Sequence, residues 1–215
     1  MNNLTIRLET EKDYRAVENL TRESFWNVYK PGCDEHYFVH CMRSHKDFIP
    51  ELAFVLEKDG ELIGNIMYTK SWLEDEEGKI KEIVSFGPVC VLPKYQRTGC
   101  SRFLIESSFE KVKEMGYEVV TNFGNPANYV GRGFVSCKKK NVTFMGGFPT
   151  ALLVCELVPG CLEGHTWKFI PNDADACCED KEGVAAFDAT FPPKEKAWRP
   201  SQEEFYIYSH SSVIY

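Results

Sequence analysis

One run constrains this chain more than any other: Val89-Cys90-Val91-Leu92-Pro93-Lys94-Tyr95-Gln96-Arg97-Thr98-Gly99-Cys100-Ser101. An apolar strand meets a proline, a short loop follows, and an amphipathic helix begins at about Gly99. The first amides of a helix have no partner inside it and sit at the positive end of its dipole, so such a loop suits an anion. Gly99 and Ser101 keep side-chain bulk low, which lets a phosphate approach the amides. Arg97 adds a planar cationic fork matched to phosphate oxygens.

Around this run the pattern alternates strands and helices. Leu4 to Leu8 alternates apolar and polar residues and reads as a strand. A helix starts near Thr10 and carries Tyr14, Val17, Leu20 and Phe25; a second spans Asp34 to about His45. Glu51–Glu57 and Glu61 to about Trp72 flank Asp59-Gly60, a hairpin signal. Asp75-Glu76-Glu77-Gly78 is a polar turn before a long strand, Lys79–Leu92, interrupted by Gly87-Pro88. Proline cannot donate to a ladder, and glycine in a strand often marks a bulge. The helix after Gly99 puts Ile105, Phe109 and Val112 on one face and stops at Gly116. Tyr117–Thr121, Asn141–Phe144 and Ala151–Leu157 read as further strands, and Lys138-Lys139-Lys140 as a solvated strand or turn.

Composition narrows the function classes. With 215 residues and 43% apolar content the chain can build a real core. A net charge of −7 argues against a nucleic-acid partner. No apolar run is long enough to cross a bilayer, so no membrane partner is expected. The N-terminal segment, acidic from Glu9 on, is not expected to act as a signal peptide. The nine cysteines are odd in number and lack a C-x-x-C pair, which points to free thiols in a reducing cytoplasm. Cys33, His36, His40, Cys41 and His45 fall in one helical segment, with His36 and His40, and Cys41 and His45, spaced i, i+4. All would come from one helix, so they read as solvated or substrate-facing side chains, and no metal site is expected.

A second segment sharpens the reading. After the strand at Tyr117–Thr121 comes Phe123-Gly124-Asn125-Pro126-Ala127-Asn128-Tyr129-Val130-Gly131-Arg132-Gly133-Phe134. Gln96-Arg97-Thr98-Gly99-Cys100-Ser101 resembles the Q/R-x-x-G-x-G/A pyrophosphate loop of the GCN5-related N-acetyltransferase (GNAT) family, with Ser101 where the family usually has Gly or Ala. Tyr129, four residues before Gly133-Phe134, is similar to that family's Tyr. More narrowly, the run resembles the YhbS-type predicted acetyltransferases, departing from them at Asn128 and Gly131.

The resemblance covers Leu4 to about Leu157 and carries definite expectations. The fold would be mixed α/β: a central, mostly antiparallel twisted sheet, splayed between its fourth and fifth strands and flanked by helices. An acetyltransferase domain would occupy 1–158, with an extension at 159–215 packed on it through Phe187-Asp188 and Phe191-Pro192. Acetyl-CoA would be the co-substrate. Its pyrophosphate would meet the amides of Gln96, Arg97, Thr98, Gly99, Cys100 and Ser101. Its pantetheine arm would lie along Val89, Cys90 and Val91 and contact Asn125, with an amide near Val89 polarising the acetyl carbonyl. Tyr129 would act as general acid to the leaving thiolate, and the acceptor would be a small-molecule primary amine. A protein lysine or N-terminus, or a non-catalytic CoA-binding module, are the alternatives, and a homodimer is left open. The Glu that serves as base on the fourth strand in some members of the family aligns with Phe86, which cannot take a proton. The base stays open among Glu82, Ser85, Glu35, His36 and water.

Overall fold

The computed structural model describes residues 3–214. Met1 and Asn2, part of the segment read above as no signal peptide, and Tyr215, the end of the extension, lie outside them.

A mostly antiparallel sheet forms the frame. Strands β1 (Leu4–Leu8), β2 (Phe54–Lys58), β3 (Glu61–Glu74) and β4 (Ile80–Val91) follow one another in space, each antiparallel to the last. The β2–β3 hairpin turns on Asp59 and Gly60, both in the left-handed region (φ 52° and 82°) as a tight two-residue hairpin requires. β2 starts later than the sequence suggests. Pro50–Leu52 forms a 3₁₀ turn instead, since Pro50 has no N–H to give a ladder. At the next turn Asp75 Oδ1 accepts from the amides of Glu77 and Lys79.

Alternation along the strands splits the core between two faces. Leu56, Ile66 and Tyr68 pack on helix α3 (Cys100–Glu114) through Leu104, Ile105 and Val112. The Tyr68 hydroxyl also meets Ser108 Oγ at 2.6 Å. Val55 and Met67, one residue out of phase, pack on Val17 of α1 (Tyr14–Phe25) and on Val39 and Met42 of α2 (Glu35–Met42). α2 ends three residues short of His45.

The feature that makes a site is in β4. Its register with β3 runs Tyr68↔Phe86 and then Ile66↔Val89, so Gly87 and Pro88 stand opposite Met67 alone. Strand β5 (Val119–Phe123) runs parallel to β4 but pairs with it only at Val84↔Val120 and Ser85↔Thr121. Past that point the strands diverge, as expected. β8 (Leu152–Glu156) and β6 (Val135–Ser136) complete this side antiparallel to their neighbours. β7, expected over four residues, is only Val142–Thr143.

The segment after Pro159 is more regular than its sequence suggests. β9 (Trp167–Ile170) pairs with the far end of β3 and with β7, so the sheet takes a strand from it. Two helices follow, α5 (Lys181–Asp188) and α6 (Pro200–Ser209). Asp188 accepts from Arg22 Nε at 2.6 Å, and the Arg15 guanidinium lies 3.5 Å over the Phe191 ring. His36, read above as solvated or substrate-facing, is fully buried between Phe187 and Phe191 and 3.2 Å from Asp188. The tail, remote in sequence, covers it. Gln202 of α6 donates to Asn27 O and Ala197 O, and Val213 N–H donates to Phe148 O. α6 is thereby held between the end of α1 and the 144–151 segment.

Candidate functional site

The divergence of β4 from β5 opens a cavity of about 610 Å³. Val89, Cys90, Val91, Gln96, Arg97, Gly99, Ser101 and Tyr129 all line it. Residues distant in sequence are thus brought to one space.

The loop is held in place by its own polar groups. Gln96 Nε2 donates to Val91 O at 3.1 Å and Thr98 Oγ1 to Tyr95 O at 2.6 Å. Arg97 and Gly99 both have positive φ, 60° and 90°, which turns the chain sharply into α3. The first helical bond runs from Phe103 N–H to Gly99 O, leaving the amides just ahead of it without an intrahelical acceptor. Gly99 suits a φ near +90° that side-chain-bearing residues adopt only under strain. Thr98 and Cys100 do not line the cavity; Cys100 is buried with its Sγ 3.2 Å from Thr98 Oγ1.

Charge at the cavity is mainly positive. Arg97, Arg102 and Arg132 line it, and only Arg102 has a carboxylate partner among the described residues, Glu106 at 2.7 Å. Arg132 Nε is buried without a hydrogen-bond acceptor, and Asn122 Oδ1 on β5 is buried without a donor. Buried polar atoms are rarely left so. Arg132 Nε and the loop amides after Gln96, whose own N–H donates to Pro93 O, suit an anionic group, while Asn122 Oδ1 calls for a ligand N–H or O–H donor.

Tyr129 ends the short helix α4 (Pro126–Tyr129). Its ring packs 5.7 Å from Phe86 and 5.8 Å from Phe134, and it leans on the bare Cα of Gly124: a Cβ there would stand 2.6 Å from Tyr129 Cε2. Burial raises the Tyr129 phenol, with Asn122 and Arg132 opposing, so it stays protonated at neutral pH. Asn125 takes a different place from the one expected: its Oδ1 caps α4 by accepting from Ala127 N–H at 3.0 Å, and Asn128 lines the cavity instead.

Of the base candidates, Glu35 alone lines the cavity. Burial raises its carboxyl to about 7, helped by the neighbouring Asp34. Glu82 is exposed and paired with Lys70 at 3.2 Å. Ser85 is tied into a hydroxyl chain, 2.8 Å from Ser71 and 2.6 Å from Thr121. His36 is buried behind the cavity and lowered to about 4 by desolvation. The rest of the Cys/His group diverges: Cys33 Sγ faces His36, His40 meets Glu18 at 2.9 Å and His45 meets Asp173 at 3.0 Å.

Sequence reasoning missed Asn122, Arg132, Tyr29 and Phe205, which also line the cavity. Arg132 stood inside the Asn125–Phe134 segment. Phe205 reaches the cavity on α6, from a segment whose helices were not anticipated.

Comparison with known proteins agrees with this geometry. The model of the acetyltransferase (GNAT) family matches residues 18–135. The uncharacterized N-acetyltransferase YhbS of Escherichia coli K12 is 30% identical over 132 residues, 61% of this chain and 73% of that protein. The crystal structure of E. coli YhbS in complex with CoA superposes with a TM-score of 0.69 at 25% identity, over 81% of this chain and 92% of that one. A GNAT family acetyltransferase from Brucella melitensis, solved with acetyl-CoA, shares the fold with a TM-score of 0.63 at 21% identity, over 81% and 99% of the two chains.

Proposed function

This chain belongs to the acetyltransferase (GNAT) family, and we propose that it transfers an acetyl group from acetyl-CoA to the primary amine of a small molecule. One observation carries the reading. A single cavity is lined by Gln96, Arg97, Gly99 and Ser101 of the loop, the strand edge at Val89–Val91, a protonated Tyr129 and a carboxyl near 7 on Glu35. CoA bound to the E. coli relative supports the same ligand class here. Nine thiols without a disulfide favour work in the reducing cytoplasm.

In this reading the loop amides and Arg97 hold the pyrophosphate, and the unpaired edge of β4 aligns the pantetheine arm. The ammonium of the acceptor gives one proton to Glu35, because only the free amine has a lone pair to attack. A carboxyl near 7 is matched to that task at neutral pH. The amine nitrogen then bonds to the acetyl carbon while the carbon–sulfur bond breaks. Tyr129 passes its proton to the leaving sulfur and regains one from the reacting nitrogen. The products are the N-acetyl amine, free CoA thiol and one net proton, released from Glu35 to solvent.

The test is thiol release from acetyl-CoA with a panel of primary amines, each run beside Tyr129→Phe. Amine-dependent release that falls at least tenfold in the variant, with KM for acetyl-CoA little changed, is expected. Firm CoA binding with no release for any amine would overturn the reading in favour of a non-catalytic CoA module.

A further inference from the structure

A second chamber of about 450 Å³ adjoins the first, and Tyr29, Phe123 and Phe205 line both. Beyond them it is lined by Phe144, Pro149 and Tyr208 among others, and no Asp, Glu, Lys, Arg or His takes part among the described residues. Phe123, at the end of β5, is 50% exposed and packs edge-on to Phe144 at 5.4 Å. It therefore presents an open apolar face beside the point where β4 and β5 part. Tyr29 and Tyr208 are both raised by burial, so their phenols are neutral at working pH. In the first cavity Glu35 is the only carboxylate among the described lining residues.

Resting on the transferase reading above, we propose that the acceptor is a monoamine with an aromatic or similarly apolar body. Its ring occupies the chamber between β5, the 144–151 segment and α6, and its single ammonium reaches Glu35. Three facts converge. The chamber shares Tyr29, Phe123 and Phe205 as walls with the cavity that holds Tyr129 and Glu35. Its walls are aromatic, and aromatic walls favour offset or edge-on contact with another ring. A second ammonium, as in a polyamine or aminoglycoside, would lose its water there with no carboxylate to receive it. The selecting residues Phe205 and Tyr208 come from α6, so the segment after Pro159 sets the acceptor class.

Two variants and four probe amines test this by thiol release. For the wild type, 2-phenylethylamine and tryptamine should exceed butylamine and spermidine at least tenfold in kcat/KM. Phe144→Ala, in the chamber wall but outside the first cavity, should raise KM for the aromatic amines at least fivefold and leave the calorimetric Kd for CoA unchanged. Ser209→Glu places a carboxylate at the chamber wall and should move the ratio of spermidine to 2-phenylethylamine toward spermidine, which keeps a readout if Phe144→Ala folds poorly. Spermidine turned over as well as the aromatic amines, with Ser209→Glu leaving the ratio unmoved, overturns this inference and leaves the transferase intact. No release with any amine overturns both.

Discussion

Gly124→Ala is the substitution whose effect follows most directly from the structure. The added Cβ would stand 2.6 Å from Tyr129 Cε2 and 3.2 Å from Asn122 Oδ1. Ordinary contact begins at 3.4 Å, so the ring must withdraw by about 0.8 Å. It cannot do so freely, because Phe86 and Phe134 hold it within 6 Å on other sides. A misplacement of about 1 Å at a reacting group costs up to about 100-fold. The expected result is a fall in kcat of about 10- to 100-fold, with KM for acetyl-CoA within about threefold of wild type. Overpacking should also cost about 1–3 kcal/mol of stability, read as a lower urea midpoint. The assay is steady-state thiol release at saturating acetyl-CoA, repeated in a Tyr129→Phe background. There Gly124→Ala should cost far less, since the phenol it displaces is already gone. A wild-type kcat in Gly124→Ala, or the same fold-loss in both backgrounds, would refute the claim that Gly124 matters by seating Tyr129.

The remaining predictions concern charge. With Glu35 raised to about 7, kcat/KM should climb as pH rises through that value and level off above it, and Glu35→Gln should lose the climb along with most of the rate. A pH profile of the variant that keeps the wild-type limb would remove Glu35 as base. The same raised carboxyl destabilises the fold once charged: its contribution is intact below the ordinary 4.5 and lost as pH passes about 7. Glu35→Gln should therefore gain on wild type between pH 4 and pH 8, by on the order of 1–2 kcal/mol after allowing for its partial exposure; urea denaturation at the two pH values reads the difference. Asp188→Ala leaves the Arg22 guanidinium, 1% exposed, without its carboxylate, and should cost about 3 kcal/mol or more; an unchanged melting temperature would contradict this.

What could be read from the sequence was what is local. The loop at Gln96–Ser101 was legible because a helix start, a left-handed glycine and a short side chain are neighbours along the chain. Tyr129 was legible through the resemblance of its segment to the family's, in which a Tyr precedes a Gly-Phe pair by four residues. Glu35 stood undistinguished among four base candidates, because its burial and its place on the cavity that β4 also lines are tertiary facts. His36 was misjudged for the same reason: Phe187, Phe191 and Asp188, which bury it, lie far along the chain. Asn125 looked like a ligand contact, yet its side chain was needed to cap α4. β9 was missed because four residues, Trp167–Ile170, carry little periodic signal, and its pairing with β3 spans about half the chain. α6 did carry a sign, Pro200 at its first turn, but the aromatic residues around it obscured the pattern.

Calorimetric titration of CoA into the wild type and into Gly99→Val tests the central claim most directly. The cavity at the β4–β5 divergence should bind one CoA per chain. Gly99→Val, which forces a branched side chain to a φ near +90° at the phosphate loop, should weaken that binding at least tenfold while circular dichroism stays that of the wild type. Absence of CoA binding by the wild type, or equal affinity in a correctly folded Gly99→Val, would contradict the account at its root.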